Sequence, residues 1–317
     1  MNAAVSVDAQ AIDAVAVGSP SFAGRLAQFI EENGRVLGIG AVLVAVVGLS
    51  TGSTMIKSTG AAGATVAFWR LAFGAVIWQV ILAVRRTPMS VAAWRATLPC
   101  GLLFGLNLTA FFTGVTHTRI SHAEFIGTLG PLIVVPIAAY HLRERVKPVI
   151  GVLGALALGG VSLIIFQSSK GGKQGWLGDS MIAGAMLLWS AYLFASKHAR
   201  RGFGTSVFMA GMTASAALTV LPFALATHRF TDVHMKGWVL IVIMSIVSGV
   251  VGHGLLAWAQ RHIPLSTMSL LQLGQPALGT TWAWVFLHET VKPMQMVGMA
   301  IVLVSVSAIA RVSTRTR

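Results

Sequence analysis

Two charged residues stand out in this 317-residue chain because they lie inside long apolar runs. Arg70 is the only full charge well inside such a run, and Glu124 lies near the start of a later one. An arginine at the centre of a bilayer costs about 2.5–3.5 kcal/mol on insertion scales, so an Arg70–Glu124 pair would lower the cost of burying either group. We interpret the two residues as an outer gate or an anion contact. The alternatives are a purely structural pair or snorkelling of Arg70 to the surface.

Four neutral polar side chains lie near the middle of other apolar runs: Asn107, His253, Gln272 and Gln275. Polar groups at that depth usually face a bundle interior or a cavity, because an unpaired amide or imidazole in hydrocarbon is costly. His253 could carry a proton, since an imidazole titrates near neutral pH, or it could be a neutral core residue. We expect the four to converge on one neutral, hydrogen-bonding cavity suited to a small zwitterion or an uncharged solute.

Aromatic residues and prolines complete the candidate site. Trp189, Tyr192 and Trp258 could wall the cavity. Pro131 and Pro276 each remove a backbone donor and are predicted to kink their helices. Kinked helices often line transport sites. For the glutamines and the aromatic residues, ordinary helix packing is the alternative to substrate contact.

The composition identifies the environment of these residues. Apolar types make up 55% of the chain and charged types 10%, whereas soluble globular chains carry about 25% charged residues. The formal net charge is +14, but the basic residues occur in ones, twos and threes between uncharged runs rather than as a stripe. We therefore predict an all-α polytopic membrane protein in contact with the lipid bilayer, and no nucleic-acid partner.

Ten apolar stretches have about the 20 residues that a membrane-crossing helix needs. The predicted spans are 36–56, 64–84, 94–115, 121–141, 148–166, 177–196, 205–227, 237–258, 266–287 and 293–311. With the N-terminus inside, 15 of the 23 Lys and Arg residues lie on the cytoplasmic side and 7 outside. Because basic residues accumulate on the cytoplasmic side, both termini are predicted to be cytoplasmic, with a tail over 1–35 and a short one over 312–317.

The chain repeats itself. Residues 142–148 match residues 287–293 at five of seven positions, with Glu144 on Glu289, and Pro131 falls on Pro276 at the same spacing. We predict a first repeat over 36–168 and a second over 177–311, each with five helices. Since five is odd, the second repeat must be inverted in the membrane, an arrangement that recurs in secondary transporters. Glu144 and Glu289 are interpreted as helix-capping and charge-pairing groups at equivalent helix ends.

Several motifs resemble those of EamA domains. They are Gly-Leu-Ser-Thr-Gly-Ser-Thr-Met-Ile-Lys at 48–57, Phe-Trp-Arg-Leu-Ala at 68–72, Ser-His-Ala at 121–123 leading to Pro131, and Leu-Arg-Glu-Arg at 142–145. The resemblance spans roughly 36–311. It implies two EamA repeats of the drug/metabolite transporter superfamily, and hence an inner-membrane transporter or exporter of small metabolites.

The sequence thus favours a secondary exporter of a small metabolite, such as an amino acid, that works by alternating access. A drug or nucleotide-sugar carrier of the same superfamily is the alternative within transport. From a different class, an intramembrane enzyme acting on lipid-linked substrates would need paired carboxylates in the bilayer, and the predicted spans contain none. A membrane scaffold would need a wholly apolar interior, which the four neutral polar residues named above argue against. We expect no catalytic activity, no cofactor and no metal site, and we leave a homodimer open.

Overall fold

The computed structural model describes residues 22–118, 120–168, 175–200, 202–287 and 290–314. Within these ranges the chain is helical, with no strand. The helices are α1 Phe22–Leu49, α2 Gly52–Ser58, α3 Gly63–Val84, α4 Val91–His117, α5 Ile120–Thr128, α6 Gly130–His141, α7 Pro148–Ser168, α8 Trp176–Ala199, α9 Thr205–Leu225, α10 Met235–Met244, α11 His253–Ala259, α12 Leu265–Leu271, α13 Gln275–Leu287 and α14 Pro293–Thr314.

Every predicted span overlaps one or two of these helices. Eight helical stretches in the described ranges are long and apolar enough to cross a membrane. The predicted fifth span is also helical, as α7, and the predicted ninth is divided between α12 and α13. The all-helical membrane fold is confirmed, and the count of ten crossings stays a prediction.

The first helix differs from its predicted span at both ends. It begins at Phe22, within the stretch predicted to be a tail, and it stops at Leu49 before the chain resumes as α2 at Gly52. Between them, the hydroxyls of Ser50 and Thr51 donate to the carbonyls of Val47 and Gly48. Such local bonds compete with the helical ladder, which accounts for a break where the chain has no proline.

Three other spans are irregular near their centres. The fourth is interrupted at Leu129, between α5 and α6, and Pro131 follows two residues later. The ninth passes through a single 3₁₀ turn, Gln272–Gly274, just before Pro276. The eighth widens into a π-helical stretch, Ser245–Gly252, between α10 and α11. A proline cannot donate the bond that an α-helix needs, which explains the first two, and π-turns occur frequently at functional sites.

Glycines let several helices approach each other closely. A Cβ added at Gly101 would lie 2.4 Å from Cβ of Ser215, so α4 packs against the backbone of α9. A Cβ at Gly160 would lie 2.8 Å from the carbonyl oxygen of Gly298, which joins α7 to α14 in the same way. Close approach of this kind is typical of membrane helices with small residues at their interface.

Candidate functional site

A cavity of about 180 Å³ lies between the helices that carry these irregular segments. Residues of both predicted repeats line it. They come from the broken first span, the interrupted fourth span, the π-helical stretch and the 3₁₀ turn, among other segments. The polar, charged and aromatic lining residues are Ser53, Arg70, Asn107, Phe111, Phe112, Glu124, Thr128, Trp189, Ser248, His253, Ser269, Gln272 and Gln275. The polar and charged side chains that the sequence places inside apolar runs therefore gather at this one cavity.

Eight of the eleven candidate residues line this cavity. They are Arg70, Asn107, Glu124, Pro131, Trp189, His253, Gln272 and Gln275. The other three, Tyr192, Trp258 and Pro276, do not. Residues from distant parts of the sequence thus meet in space, which is the arrangement expected of a site between two repeats.

Tyr192 and Trp258 are corrections to the predicted aromatic wall. Tyr192 is only 3% exposed and stacks behind Trp189, with ring centroids 5.2 Å apart. Trp258 stacks on His262 at 4.1 Å. Five residues separate Trp258 from His253, and at 3.6 residues per turn this rotates the tryptophan by about 140° away from the cavity side of its helix.

Arg70 and Glu124 do not form the ion pair expected from the sequence. The Arg70 side chain is 4% exposed, and its Nε has no hydrogen-bond partner among the described residues. Its guanidinium carbon lies 5.5 Å from the ring centroid of Phe112, a distance at which a cation is attracted to an aromatic face. Glu124 instead accepts a hydrogen bond from the hydroxyl of Ser53, with an O···O distance of 2.5 Å. An arginine and a glutamate therefore line the same cavity without an ion pair between them, so its lining includes more than the neutral polar groups expected from the sequence.

The neutral polar groups of the cavity are partly used by the protein itself. Asn107 donates from Nδ2 to the carbonyl of Ala185 at 2.7 Å, which ties α4 to α8. Gln275 donates to Oε1 of Gln272 at 3.5 Å. The His253 ring lies edge-on to Phe104, with centroids 4.8 Å apart. These contacts hold the three polar side chains in place along the cavity.

A second polar cluster lies at the end of α6, on the side predicted to be cytoplasmic. Glu144 accepts hydrogen bonds from the backbone N–H of Leu265 at 2.9 Å and of Ser266 at 3.0 Å, and from the Ser266 hydroxyl at 2.8 Å. Its carboxylate also pairs with Nζ of Lys197 at 3.1 Å. We call Glu144, Lys197 and the Leu265–Ser266 start of α12 the latch, because they join the first repeat to the second.

The latch favours an ionised carboxylate. Burial acts to raise the pKa of Glu144, but the hydrogen bonds from Ser266 and Leu265, together with Lys197, outweigh it and hold the pKa below its usual value. A carboxylate at the first turn of a helix is also stabilised by the helix dipole. The contact is therefore electrostatic rather than apolar.

Part of the latch is repeated at the opposite end of the bundle. Lys197 donates to the carbonyl of Ile263 at 3.4 Å, and Lys57 donates to the carbonyl of Thr118 at 2.8 Å. Lys57 aligns with Lys197, and Thr118 with Ile263, in the two repeats. Glu289, the counterpart of Glu144, lies outside the described residues. The same lysine-to-carbonyl contact thus occurs once in each repeat.

Sequence reasoning missed several lining residues. Ser53, Ser248 and Ser269 face the cavity, but isolated serines are common in membrane helices and carry no distinctive signal. Phe112 could have been found through Arg70, since a buried cation needs a nearby aromatic face or anion. No group of three or more His, Cys, Asp or Glu side chains that could hold a metal ion occurs in the described ranges.

A bundle of helices long and apolar enough to cross a bilayer, with polar side chains gathered around one cavity, defines a multi-pass membrane protein. The comparison with protein families agrees. The EamA-like transporter family matches residues 36–166 and 176–311, so the chain belongs to that family and carries two copies of its domain. It is a transporter embedded in a membrane, with a small molecule as its substrate.

Curated relatives are similar over most of the chain. The threonine/homoserine exporter RhtA of Escherichia coli K12 is 25% identical, covering 83% of this chain and 87% of its own. An uncharacterized transporter of Archaeoglobus fulgidus is 23% identical over 85% of this chain and 94% of its own. A solved crystal structure with a TM-score of 0.73 and 18% identity covers 88% of this chain and 99% of that one, which supports the fold.

Proposed function

We propose that this protein is a secondary exporter of a small metabolite, such as an amino acid, and that the central cavity is its substrate site. The observation that carries the proposal is the convergence of Arg70, Asn107, Glu124 and His253 on one cavity inside an apolar bundle. Polar groups in a membrane interior are costly unless they serve a partner or a pathway. The similarity to RhtA, whose name gives threonine and homoserine, favours amino acids as the substrate class.

The size of the cavity favours a small metabolite over a drug or nucleotide sugar. Sites for drug-sized ligands have volumes of about 300–1,000 Å³, and this cavity has about 180 Å³. A large carrier substrate would require the bundle to widen considerably. The small volume therefore argues against the alternative within the superfamily.

Alternating access needs a barrier that closes one face at a time, and the latch has the properties of such a barrier. We place it at the cytoplasmic face of the inner membrane, with both termini cytoplasmic, on the strength of the basic-residue count. Glu144 and Lys197 come from different repeats, so their separation would let the two repeats move apart. In this proposal, opening the latch admits the substrate from the cytoplasm.

The test is an untargeted comparison of metabolites in the medium of cells with and without the protein. The expected result is that one or a few small metabolites accumulate outside only when the protein is present. A Gly127→Trp variant should abolish the difference, because Gly127 lines the cavity and a Cβ there would meet only one atom within 4 Å, at 3.9 Å. The added Cβ would meet no backbone atom of a neighbouring segment within 4 Å, so we expect the indole to occupy the cavity.

The matched control is Gly151→Trp, since Gly151 is exposed and has no atom within 4 Å of an added Cβ. It should export like the parent. Equal export by Gly127→Trp, at equal amounts in the membrane, would show that the substrate takes another route. An unchanged medium in all strains would reject export.

A further inference from the structure

Arg70 and Glu124, a basic and an acidic side chain, line one cavity without forming an ion pair with each other. A chain that gained only stability from these residues would bring them together, because an ion pair offsets part of the desolvation of both groups. Here Arg70 instead rests against Phe112, and Glu124 is hydrogen-bonded to Ser53. Both residues come from the first repeat, on α3 and α5, and both line the cavity.

We propose that Arg70 and Glu124 are the two poles of a zwitterion site, in which Arg70 binds the carboxylate of the substrate and Glu124 binds its ammonium group. This inference rests on the proposed function and narrows its substrate to molecules that carry both groups free. A free α-amino acid has that chemistry.

The charges of the site select for such a ligand. A guanidinium presents parallel N–H donors that match a carboxylate, and Arg70 lines the cavity. A carboxylate only accepts hydrogen bonds, and the hydroxyl of Ser53 donates to Oε1 of Glu124. In this proposal the second oxygen, Oε2, accepts from the ammonium group. A ligand with one charge would satisfy one pole and leave the other unpaired, which is costly in an apolar surrounding.

The rest of the cavity is neutral. Asn107, Gln272 and Gln275 line it without charge, so the substrate's side chain would meet amides rather than ions. We expect neutral, short side chains to be preferred over charged ones. The poles would recognise the part that all amino acids share, and the amides would distinguish among them.

The test measures binding to the purified full chain with three probes that differ only at the poles: L-threonine, its methyl ester and its N-acetyl derivative. The ester lacks the negative charge, and the N-acetyl compound lacks the positive one. Each analogue is expected to bind the parent roughly 10- to 100-fold more weakly than threonine, since one charge-assisted contact is lost. Should threonine itself not bind, the other standard amino acids replace it as the parent probe.

Variants then assign each pole to its residue. In Arg70→Gln, threonine and its methyl ester should bind equally weakly, because the carboxylate no longer has its partner. In Glu124→Gln, threonine and N-acetylthreonine should bind equally weakly for the corresponding reason. Arg229→Gln is the matched control, since Arg229 is an exposed cation that pairs with Asp232 and does not line the cavity, and it should bind all three probes like the parent. Thermal melting of each variant reports whether it is folded, and Arg70→Lys and Glu124→Asp, which keep the charges, should retain the discrimination between probes.

Three results would overturn the proposal. One is equal binding of all three probes to the parent. Another is a loss of discrimination in the charge-conserving variants as complete as in the neutral ones. The third is failure of every standard amino acid to bind, while the comparison of media still reveals an exported metabolite. That last outcome rejects the zwitterion site and leaves the exporter in place.

Discussion

Replacing Glu144 by alanine should open the face that the latch closes. The change removes three hydrogen bonds, from the Leu265 and Ser266 amides and the Ser266 hydroxyl, and it frees Lys197. The side chain of Glu144 is 10% exposed, so water competes only partly for these contacts. Because the bonds join the two repeats, their loss weakens the closed state selectively.

The size of the effect can be worked from these contacts. Hydrogen bonds to charged groups contribute about 1.5–3 kcal/mol each, but the two amides at the start of α12 regain water once the face opens. We therefore expect a total of about 2–4 kcal/mol. At about 1.4 kcal/mol per factor of ten, this shifts the closed-to-open equilibrium by roughly 30- to 700-fold.

The assay is thiol labelling of a cysteine placed at Ser269, which lines the cavity one turn beyond Leu265. In a Cys100→Ala background, a small water-soluble reagent applied from the cytoplasmic side should label the Glu144→Ala variant faster. Labelling should accelerate in proportion to the open population. The matched control is Arg145→Ala, because Arg145 is the exposed neighbour of Glu144, and its labelling rate should equal that of the parent.

Two outcomes would refute this reasoning. If Glu144→Ala melts at a lower temperature but labels at the parental rate, the latch stabilises the fold without closing a face. If labelling accelerates only from the periplasmic side, the orientation taken from the basic residues is wrong.

Three further predictions follow from the structure. Gly101→Ala should lower the melting temperature, since its Cβ would lie 2.4 Å from that of Ser215 and overpacking costs about 1–3 kcal/mol; Gly74→Ala, with no atom within 4 Å, is the control and should not. Reporter fusions after Lys173 should be active outside the cell and fusions after Arg201 inside, and the reverse pattern would overturn the topology. A single cysteine at Gln275 should react with the same reagent and be protected by bound substrate, whereas an unreactive thiol in a transporting protein would identify Gln275 as a packing residue.

Helix positions could be predicted from the sequence because each crossing needs a long apolar run, and such runs are visible without a structure. The start of α1 could not be found this way. Between Phe22 and Arg35 charged and polar residues interrupt the apolar ones, and local bonds such as Gln28 to Glu32 at 2.9 Å accompany the helix there. A hydropathy pattern marks only the part of a helix that lies in the hydrocarbon. It does not show where the same helix begins outside the membrane.

For the candidate site, the sequence predicts how far along its helix each residue lies. It does not predict the direction in which each side chain points around the helix axis. The sequence places Arg70 well inside its span and Glu124 near the start of the fourth, and only the structure turns Arg70 toward Phe112 and Glu124 toward Ser53. Trp258 likewise points away from the cavity because of its position around the helix axis, which its depth does not reveal. The breaks at Leu129 and before Pro276 lie just N-terminal to prolines, which the sequence shows. The break at Ser50 coincides with local hydroxyl bonds of Ser50 and Thr51, residue types too common in membrane helices to mark a break, and the π-helical stretch has no sequence signal that we identify.

The glycine crossing of α7 and α14 differs from the latch in what can disturb it. Gly160 and Gly298 touch backbone to backbone, and nearby Gln295 donates a neutral hydrogen bond to the carbonyl of Ile164 at 3.3 Å. None of these contacts carries charge, so their strength does not depend directly on ionic strength, pH or membrane voltage. The last helices of the two domain copies are therefore expected to stay joined at salt concentrations that weaken the contact between Glu144 and Lys197.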